Sequence, residues 1–154
     1  MENQKRKRYE FLVQRADKAL ETDFYMETIA IIYALFEERT YSLMDKLALP
    51  YNDQKIKLAG CIKAIKKAVN DRTVAIPTCN SRVDIHDFLN QGLFAGNLLN
   101  DIYDWRNTRN ELVHNLAKYD IDYSYLKPFA EEGVRFFKEY TAFIMRFKKE
   151  FSIK

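Results

Sequence analysis

Apolar residues recur at intervals of three or four along most of the chain, with polar residues between them. This is the repeat of amphipathic helices, and no segment alternates residue by residue as a half-buried strand does. Helices are predicted at residues 3 to 20, 22 to 47, 54 to 69, 84 to 118 and from about 125 to 151. The pattern predicts an all-α fold, an up-and-down four-helix bundle with an additional short helix, formed by residues 1–154 as one domain.

Three features predict where the second helix starts and which helix faces are buried. Thr22 and Asp23 are good N-cap residues and are expected to start the second helix. Nearly every residue from Ile29 to Phe36 is apolar, which predicts that this helix is the most buried one. The last helix carries an aromatic-rich stripe that is expected to be core. Its members are Ala130, Val134, Phe137, Tyr140, Ile144, Phe147 and Phe151.

Glycine and proline in the middle of the chain predict where helices bend, approach each other or are connected. Gly92 and Gly96 interrupt the fourth helical segment and predict a bend or a close approach of another helix. Residues 70 to 83 contain turn formers and Pro77 without a sustained period. This connection is expected either to span the bundle or to lie over a groove.

Composition restricts the class of protein. The chain of 154 residues, 47% of them hydrophobic, is long enough to bury a core without disulfide or metal support. No apolar run approaches the roughly 18 residues that a membrane span needs, and no signal-peptide core follows the basic N-terminus. We therefore expect a cytoplasmic protein without a membrane partner, in which Cys61 and Cys79 stay reduced. The net charge of +3 permits RNA as a partner without requiring it.

Two segments are rich in basic residues. The N-terminal run Lys5-Arg6-Lys7-Arg8 either attracts phosphates or forms a solvated terminus. In the third predicted helix, Lys63, Lys66 and Lys67 lie away from the apolar side and are candidates for contacts with phosphate or RNA. An ordinary solvated helix face is the alternative for these lysines.

His86 lies between Asp84 and Asp87 near the start of the fourth segment. Neighbouring carboxylates favour the protonated form of an imidazole, but this spacing matches no familiar set of metal ligands. We expect a surface histidine near a helix N-terminus, and we predict neither a metal site nor a cofactor.

Arg109 interrupts an apolar stripe. At about 100° per residue, this arginine falls in the middle of a row of hydrophobic side chains. The row consists of Leu98, Ile102, Trp105, Leu112 and Leu116. Desolvating an unpaired charge costs several kcal/mol or more, so Arg109 is expected to face a cleft, a partner subunit or an anion. The structural alternative is a salt bridge to a buried acid such as Glu37.

A polar sector extends from Arg109 through Arg106 and Asn110 to His114. Arg109 and His114 are five residues apart, which separates them by about 140° around an ideal helix and about 7.5 Å along it. Asn110 and His114 share a face. Such a sector is suited to holding a phosphate by the arginine fork beside an imidazole.

The run from Arg109 to His114 reads Arg-Asn-Glu-Leu-Val-His and resembles the signature of the HEPN superfamily. Members of this superfamily act in prokaryotic toxin, antiphage-defence and RNA-processing systems. The resemblance in residue identity rests on these six positions. The preceding residues Trp105-Arg106-Asn107 and the predicted all-helical fold of a chain of this length add to it. It implies a single HEPN-like helical domain with the motif on a late long helix.

The resemblance further implies a metal-independent endoribonuclease, of the toxin or antiphage-defence type, that acts as a homodimer with two motifs facing one cleft. The RNA 2′-hydroxyl would attack the adjacent phosphate and leave a cyclic phosphate and a 5′-hydroxyl. His114 would act as general acid or base, Arg109 would stabilise the phosphorane, and Asn110 would orient the phosphate or the imidazole. Arg106 is not part of the signature, and we add it as a phosphate contact.

Some HEPN domains are catalytically silent, and the alternative function is therefore a helical module for dimerisation, nucleotide binding or partner-protein binding. An antitoxin or another product of a neighbouring gene is a further candidate partner. In toxins paired with nucleotidyltransferase antitoxins, a tyrosine two residues after the histidine is the site of modification. Leu116 holds that position here and Tyr119 is out of register, so this regulation is not expected.

Overall fold

Helices account for all the regular secondary structure in the computed structural model, which describes residues 2–75 and 82–153 and contains no strand within them. The predicted all-α class is therefore confirmed, whereas Pro77 and Cys79 lie outside the described residues. The described ranges contain six α-helices. They are α1 (Glu2–Glu21), α2 (Tyr25–Lys46), α3 (Leu58–Asn70), α4 (Ile85–Leu89), α5 (Leu98–Leu116) and α6 (Leu126–Glu150).

The turn between α1 and α2 differs from the prediction. Residue 24, not Thr22 or Asp23, occupies the N-cap position of α2, and it makes no side-chain cap hydrogen bond. The Thr22 hydroxyl donates to the carbonyl of Lys18 at 2.8 Å, so it satisfies the end of α1 instead. Asp23 has a left-handed backbone with φ of 65° and accepts a hydrogen bond from the Tyr25 hydroxyl. These residues therefore close the first helix rather than open the second.

The centre of the molecule is formed by α2 and α6, which lie side by side and run in the same direction. The rings of Phe36 and Phe137 meet edge-on, with their centroids 5.9 Å apart. One turn further along each helix, the hydroxyl oxygens of Thr40 and Tyr140 are 3.0 Å apart. This buried pairing satisfies both hydroxyls in an otherwise apolar layer. The stripe predicted for the last helix is buried as expected, from Ala130 to Phe151. The second helix thus shares the core with α6.

The other helices pack around this pair. Only three residues join α1 to α2, so the two helices are antiparallel neighbours. The shorter α3 packs against both α2 and α5. The antiparallel direction of α5 relative to α2 is shown by two ring contacts, Trp105 with Phe36 and Arg109 with Tyr33. The C-terminal end of α5 therefore lies near the N-terminal end of α2.

The fourth predicted segment is two helices rather than one. A π-helical segment, Asn90–Ala95, follows α4, and the chain breaks before α5. A Cβ atom at Gly92 would collide with the ring of Phe143, which confirms the predicted close approach. The break itself is at Asn97, whose φ is 64°, while Gly96 has an ordinary negative φ and open space around it. An asparagine, which tolerates this conformation better than most residues, makes the turn.

No helix within the described ranges is both long enough and apolar enough to cross a membrane.

Candidate functional site

The orientation of α5 is fixed by Trp105. Its indole is buried and stacks on the ring of Phe129, with the ring centroids 4.7 Å apart. Its Nε1 donates a hydrogen bond to the Phe129 carbonyl oxygen at 3.0 Å. Gly133 makes room for the indole, because a Cβ there would come within 2.5 Å of it. An aromatic ring with a satisfied polar atom is a strong anchor in a core. Trp105 therefore sets the direction in which residues 106 to 114 point.

Beyond Trp105, the apolar stripe of α5 is no longer fully buried. The buried residues of this helix are Leu98, Leu99, Ile102 and Trp105, all in its first half. Leu112 and Leu116 are only half-buried, and Val113 is 41% exposed. The last three turns of α5 thus present a partly uncovered apolar surface, and Arg109 lies on it.

Arg109 is half-buried and lies over the face of Tyr33, with its Cζ 4.2 Å from the ring centroid. Its Nη1 donates to the Asn110 side-chain oxygen at 3.1 Å, and its Nε is buried without a hydrogen-bond partner. In the part of the chain that the structure describes, no ion pair joins Arg109 to Glu37 or to another acid. The guanidinium is held in place by a ring and an amide and has no counter-ion there.

Arg106, one turn earlier, has a similar asparagine contact and unpaired Nε. Its Nη1 donates to the Asn107 side-chain oxygen at 3.0 Å, and its buried Nε has no partner. No carboxylate within residues 2–75 and 82–153 forms an ion pair with Arg106 either. Two half-buried guanidiniums therefore lie one turn apart, each oriented by the asparagine that follows it.

Sequence reasoning missed two residues of this arrangement. Asn107 could have been found from the repeat Arg-Asn-Thr-Arg-Asn, which places the same amide after each arginine. Tyr33 had no such signal, because it is on α2 and meets Arg109 only through the packing of the two helices.

His114 is exposed in the last turn of α5. Within the described residues, no side chain forms a hydrogen bond or ion pair with its ring, and the oxygen of Asn110 is already engaged by Arg109. Because α5 is one continuous α-helix from Leu98 to Leu116, no kink turns Arg109 and His114 towards each other. A single chain therefore holds the two side chains on different faces of one helix.

The three lysines proposed for phosphate binding differ in their surroundings. Lys63 lies beside α5, with its Nζ 5.6 Å from the ring centroid of Tyr103. Tyr103, Arg106 and Asn110 are spaced so that they share one face of α5. Lys66 is exposed, and Lys67 forms an ion pair with Asp71 at 2.9 Å. The packing thus brings Lys63 next to the polar sector, whereas the charge of Lys67 is partly neutralised.

His86 is not the surface residue expected from the sequence. Its side chain is only 11% exposed, and its Nε2 accepts a hydrogen bond from the backbone N–H of Val74 at 3.1 Å. Arg72 forms ion pairs with Asp84 at 2.8 Å and with Asp87 at 3.1 Å. The backbone N–H of Asp87 and the charge of Arg72 lower the pKa of the Asp84 carboxyl. This cluster joins the segment after α3 to the start of α4 and is structural.

A comparison of the chain with protein-family models, with curated proteins and with solved structures finds no match in any of the three.

Proposed function

We propose that the chain is a HEPN-like four-helix bundle that acts as a metal-independent endoribonuclease of the toxin or antiphage-defence type. The observation that carries the proposal is the pair of half-buried guanidiniums, Arg106 and Arg109, that have no counter-ion among the described residues. A desolvated cation without a partner is costly, and a guanidinium matches the geometry of a phosphate. An RNA phosphate would supply the missing charge.

The chemistry follows from the residues around such a phosphate. The RNA 2′-oxygen forms a bond to phosphorus while the bond from phosphorus to the 5′-oxygen breaks, which leaves a cyclic phosphate and a 5′-hydroxyl. His114 takes the proton of the 2′-hydroxyl or gives one to the leaving 5′-oxygen, because an imidazole can carry out either role near neutral pH. Arg109 and Arg106 stabilise the charge that develops on the phosphorane, and Asn110 and Asn107 keep them oriented.

A second copy of the chain completes the site in this proposal. Arg109 and His114 of one chain point in different directions, so one phosphate is better reached by Arg109 of one protomer and His114 of the other. The half-uncovered residues Leu112, Val113 and Leu116 would form part of the contact between the copies. A homodimer with a two-fold axis along this face would create two such combinations.

An RNA cleavage assay with chelator present tests the reaction. We expect the wild-type protein to produce ends with a cyclic phosphate, and Arg109→Ala and His114→Ala each to lower the rate at least about 100-fold, the usual range for a lost acid–base or electrostatic group. Arg146→Ala, which removes an exposed arginine on α6, should cut at the wild-type rate and controls for charge. Full activity in both α5 variants would refute the proposal.

Mixing the two inactive variants tests the shared site. If each site needs Arg109 of one protomer and His114 of the other, an equal mixture should regain about a quarter of the activity, since half of the dimers are mixed and each has one intact combination. A mixture as inactive as its components would contradict a site formed between subunits, although each chain could still cleave by itself.

One observation favours a second function. His114 has no side-chain partner among the described residues to fix its orientation, whereas catalytic histidines are usually oriented by a third group. In a silent module the arginines would bind RNA, a nucleotide or a partner protein without cleavage. Binding that is lost in Arg106→Ala and Arg109→Ala but unchanged in His114→Ala, with no cyclic phosphate formed, would select this function.

A further inference from the structure

Four cations from three helices lie around the C-terminal half of α2, close enough for their charges to act on Lys46. They are Lys5 of α1, Arg39 and Lys46 of α2, and Lys148 of α6, and we call them the basic cluster. Arg39 and Lys46 are six and thirteen residues after Tyr33, which corresponds to about 9 and 20 Å along α2 and to a different side of the helix. The basic cluster is therefore separate from the arginines of α5.

Two of these cations share one aromatic ring. The Arg39 Cζ lies 4.6 Å and the Lys5 Nζ 5.9 Å from the ring centroid of Tyr9. The Arg39 Nε and the Tyr9 hydroxyl are both buried and have no hydrogen-bond partner. A ring face attracts cations but does not neutralise them. The arrangement thus holds two positive charges together and leaves two polar groups unsatisfied.

Lys46 combines partial burial with like charges nearby. It is half-buried, and its Nζ donates to the Ser42 hydroxyl at 2.7 Å. Burial, followed by the like charges of Lys148, Lys5 and Arg39, lowers the pKa of its ammonium group. Among residues 2–75 and 82–153, no carboxylate forms an ion pair with any member of the basic cluster. The charge of Asp45 acts in the opposite direction on Lys46, but its effect is smaller than that of the three cations and it forms no ion pair with the cluster. The positive charge of the cluster is therefore only partly balanced.

The helix dipole explains only part of this arrangement. Lys46 and Lys148 lie in the last turns of α2 and α6, where a cation gains roughly 0.3–1 kcal/mol from the helix dipole. Lys5 lies near the N-terminus of α1, where a cation is disfavoured, and Arg39 lies within α2. Two of the four charges thus have no explanation from helix ends.

We propose that the basic cluster binds the phosphates of a polyphosphate, either the triphosphate of a nucleotide or an inorganic polyphosphate. The four positive charges of the cluster exceed the charge of one phosphate monoester, which is about −1.5 to −2 near neutral pH. A polyphosphate concentrates three or more charges within one short group, whereas an RNA backbone spreads single charges along its length. The half-buried Arg39 supplies a fork suited to phosphate oxygens. This proposal does not depend on the ribonuclease activity.

Calorimetric titration at constant ionic strength tests the site. Sodium tripolyphosphate and ATP are the ligands, and the variants are Lys46→Gln/Lys148→Gln and, as a control with the same charge change, Lys18→Gln/Lys55→Gln at exposed positions. We expect the wild type to bind one ligand per chain, the cluster variant to bind at least about tenfold more weakly, and the control to bind within about twofold. Tighter binding of ATP would identify a nucleotide site, and equal binding a site for the phosphates alone.

The variants should remain folded, because removing Lys46 relieves repulsion between like charges. Without ligand, Lys46→Gln should unfold at the same temperature as the wild type or at a higher one. Equal affinities of the cluster and control variants for tripolyphosphate would overturn the proposal. So would binding of an RNA oligonucleotide through these lysines with no binding of tripolyphosphate or ATP.

Discussion

At the scale of single residues, the packing of the helices depends on glycines, whose missing side chains allow buried aromatic rings to come close to the backbone. Gly92 in the π-helical segment lies against the ring of Phe143, and Gly133 in α6 lies against the indole of Trp105. Both contacts bring a helix backbone directly onto a buried aromatic ring. Gly96 is different, since nothing lies within 4 Å of the place where its Cβ would be. The two glycines of the fourth segment therefore have different roles.

Gly92→Ala and Gly96→Ala form a matched pair that tests this difference. The added methyl at Gly92 must displace the Phe143 ring, so we expect a loss of about 1–3 kcal/mol in the free energy of unfolding. At Gly96 the same change meets open space and an allowed φ of −85°, and should change stability by less than about 1 kcal/mol. Urea unfolding followed by circular dichroism gives both values. Equal losses in the two variants would show that the Phe143 contact is not the cause.

At the scale of elements, the periodicity of apolar residues predicted where the helices are, but not how they end. The sequence shows which face of each segment can be buried, and the core faces of α2 and α6 followed from it. Helix ends depend on the backbone conformation of one or two residues. Thr22 and Asp23 have good N-cap side chains, yet the left-handed φ of Asp23 places them after α1. Contacts between distant segments, such as Arg109 with Tyr33, had no local signal at all.

The break before α5 is tested by substitutions at Asn97. Its φ of 64° is costly for most residues with a Cβ, by roughly 1–2 kcal/mol, and costs glycine almost nothing. We expect Asn97→Ala to lower the free energy of unfolding by about 1 kcal/mol and Asn97→Gly to leave it unchanged or raise it slightly. A thermal or urea unfolding series compares the three proteins. A more stable alanine variant would mean that the turn adopts another conformation in solution.

At the scale of the whole molecule, several groups in the core or packed against it resist ionisation. Burial raises the pKa of the Cys61 thiol from 9.0 to about 11. Burial and the charge of Glu37 raise the pKa of Tyr41 to about 12, and burial also raises the pKa of Tyr140, which is hydrogen-bonded to Thr40. Each group favours its protonated form in the folded state. The fold should therefore be sensitive to alkali.

This sensitivity has a defined direction. A group whose pKa is higher in the folded state stabilises the protein fully below its unfolded pKa, and this stabilisation is lost as the pH rises towards the folded pKa. For Cys61 the loss falls between about pH 9 and 11. Urea midpoints measured at intervals from pH 8 to 11 should fall, and they should fall less steeply for Cys61→Ala. Midpoints that stay constant over this range would contradict the prediction.

The anchoring of α5 by Trp105 also affects how the protein can change by mutation. Folding depends on the first half of this helix, because its buried residues all lie from Leu98 to Trp105. The three turns that follow contain Arg106, Arg109 and His114 but no fully buried side chain. Substitutions at the exposed positions of these turns, such as His114, should therefore cost little stability, whereas Arg109 and Leu112 are partly packed against the rest of the protein. Exposed positions of this segment can accordingly carry other polar side chains, apart from the helix breakers proline and glycine, while the protein still folds.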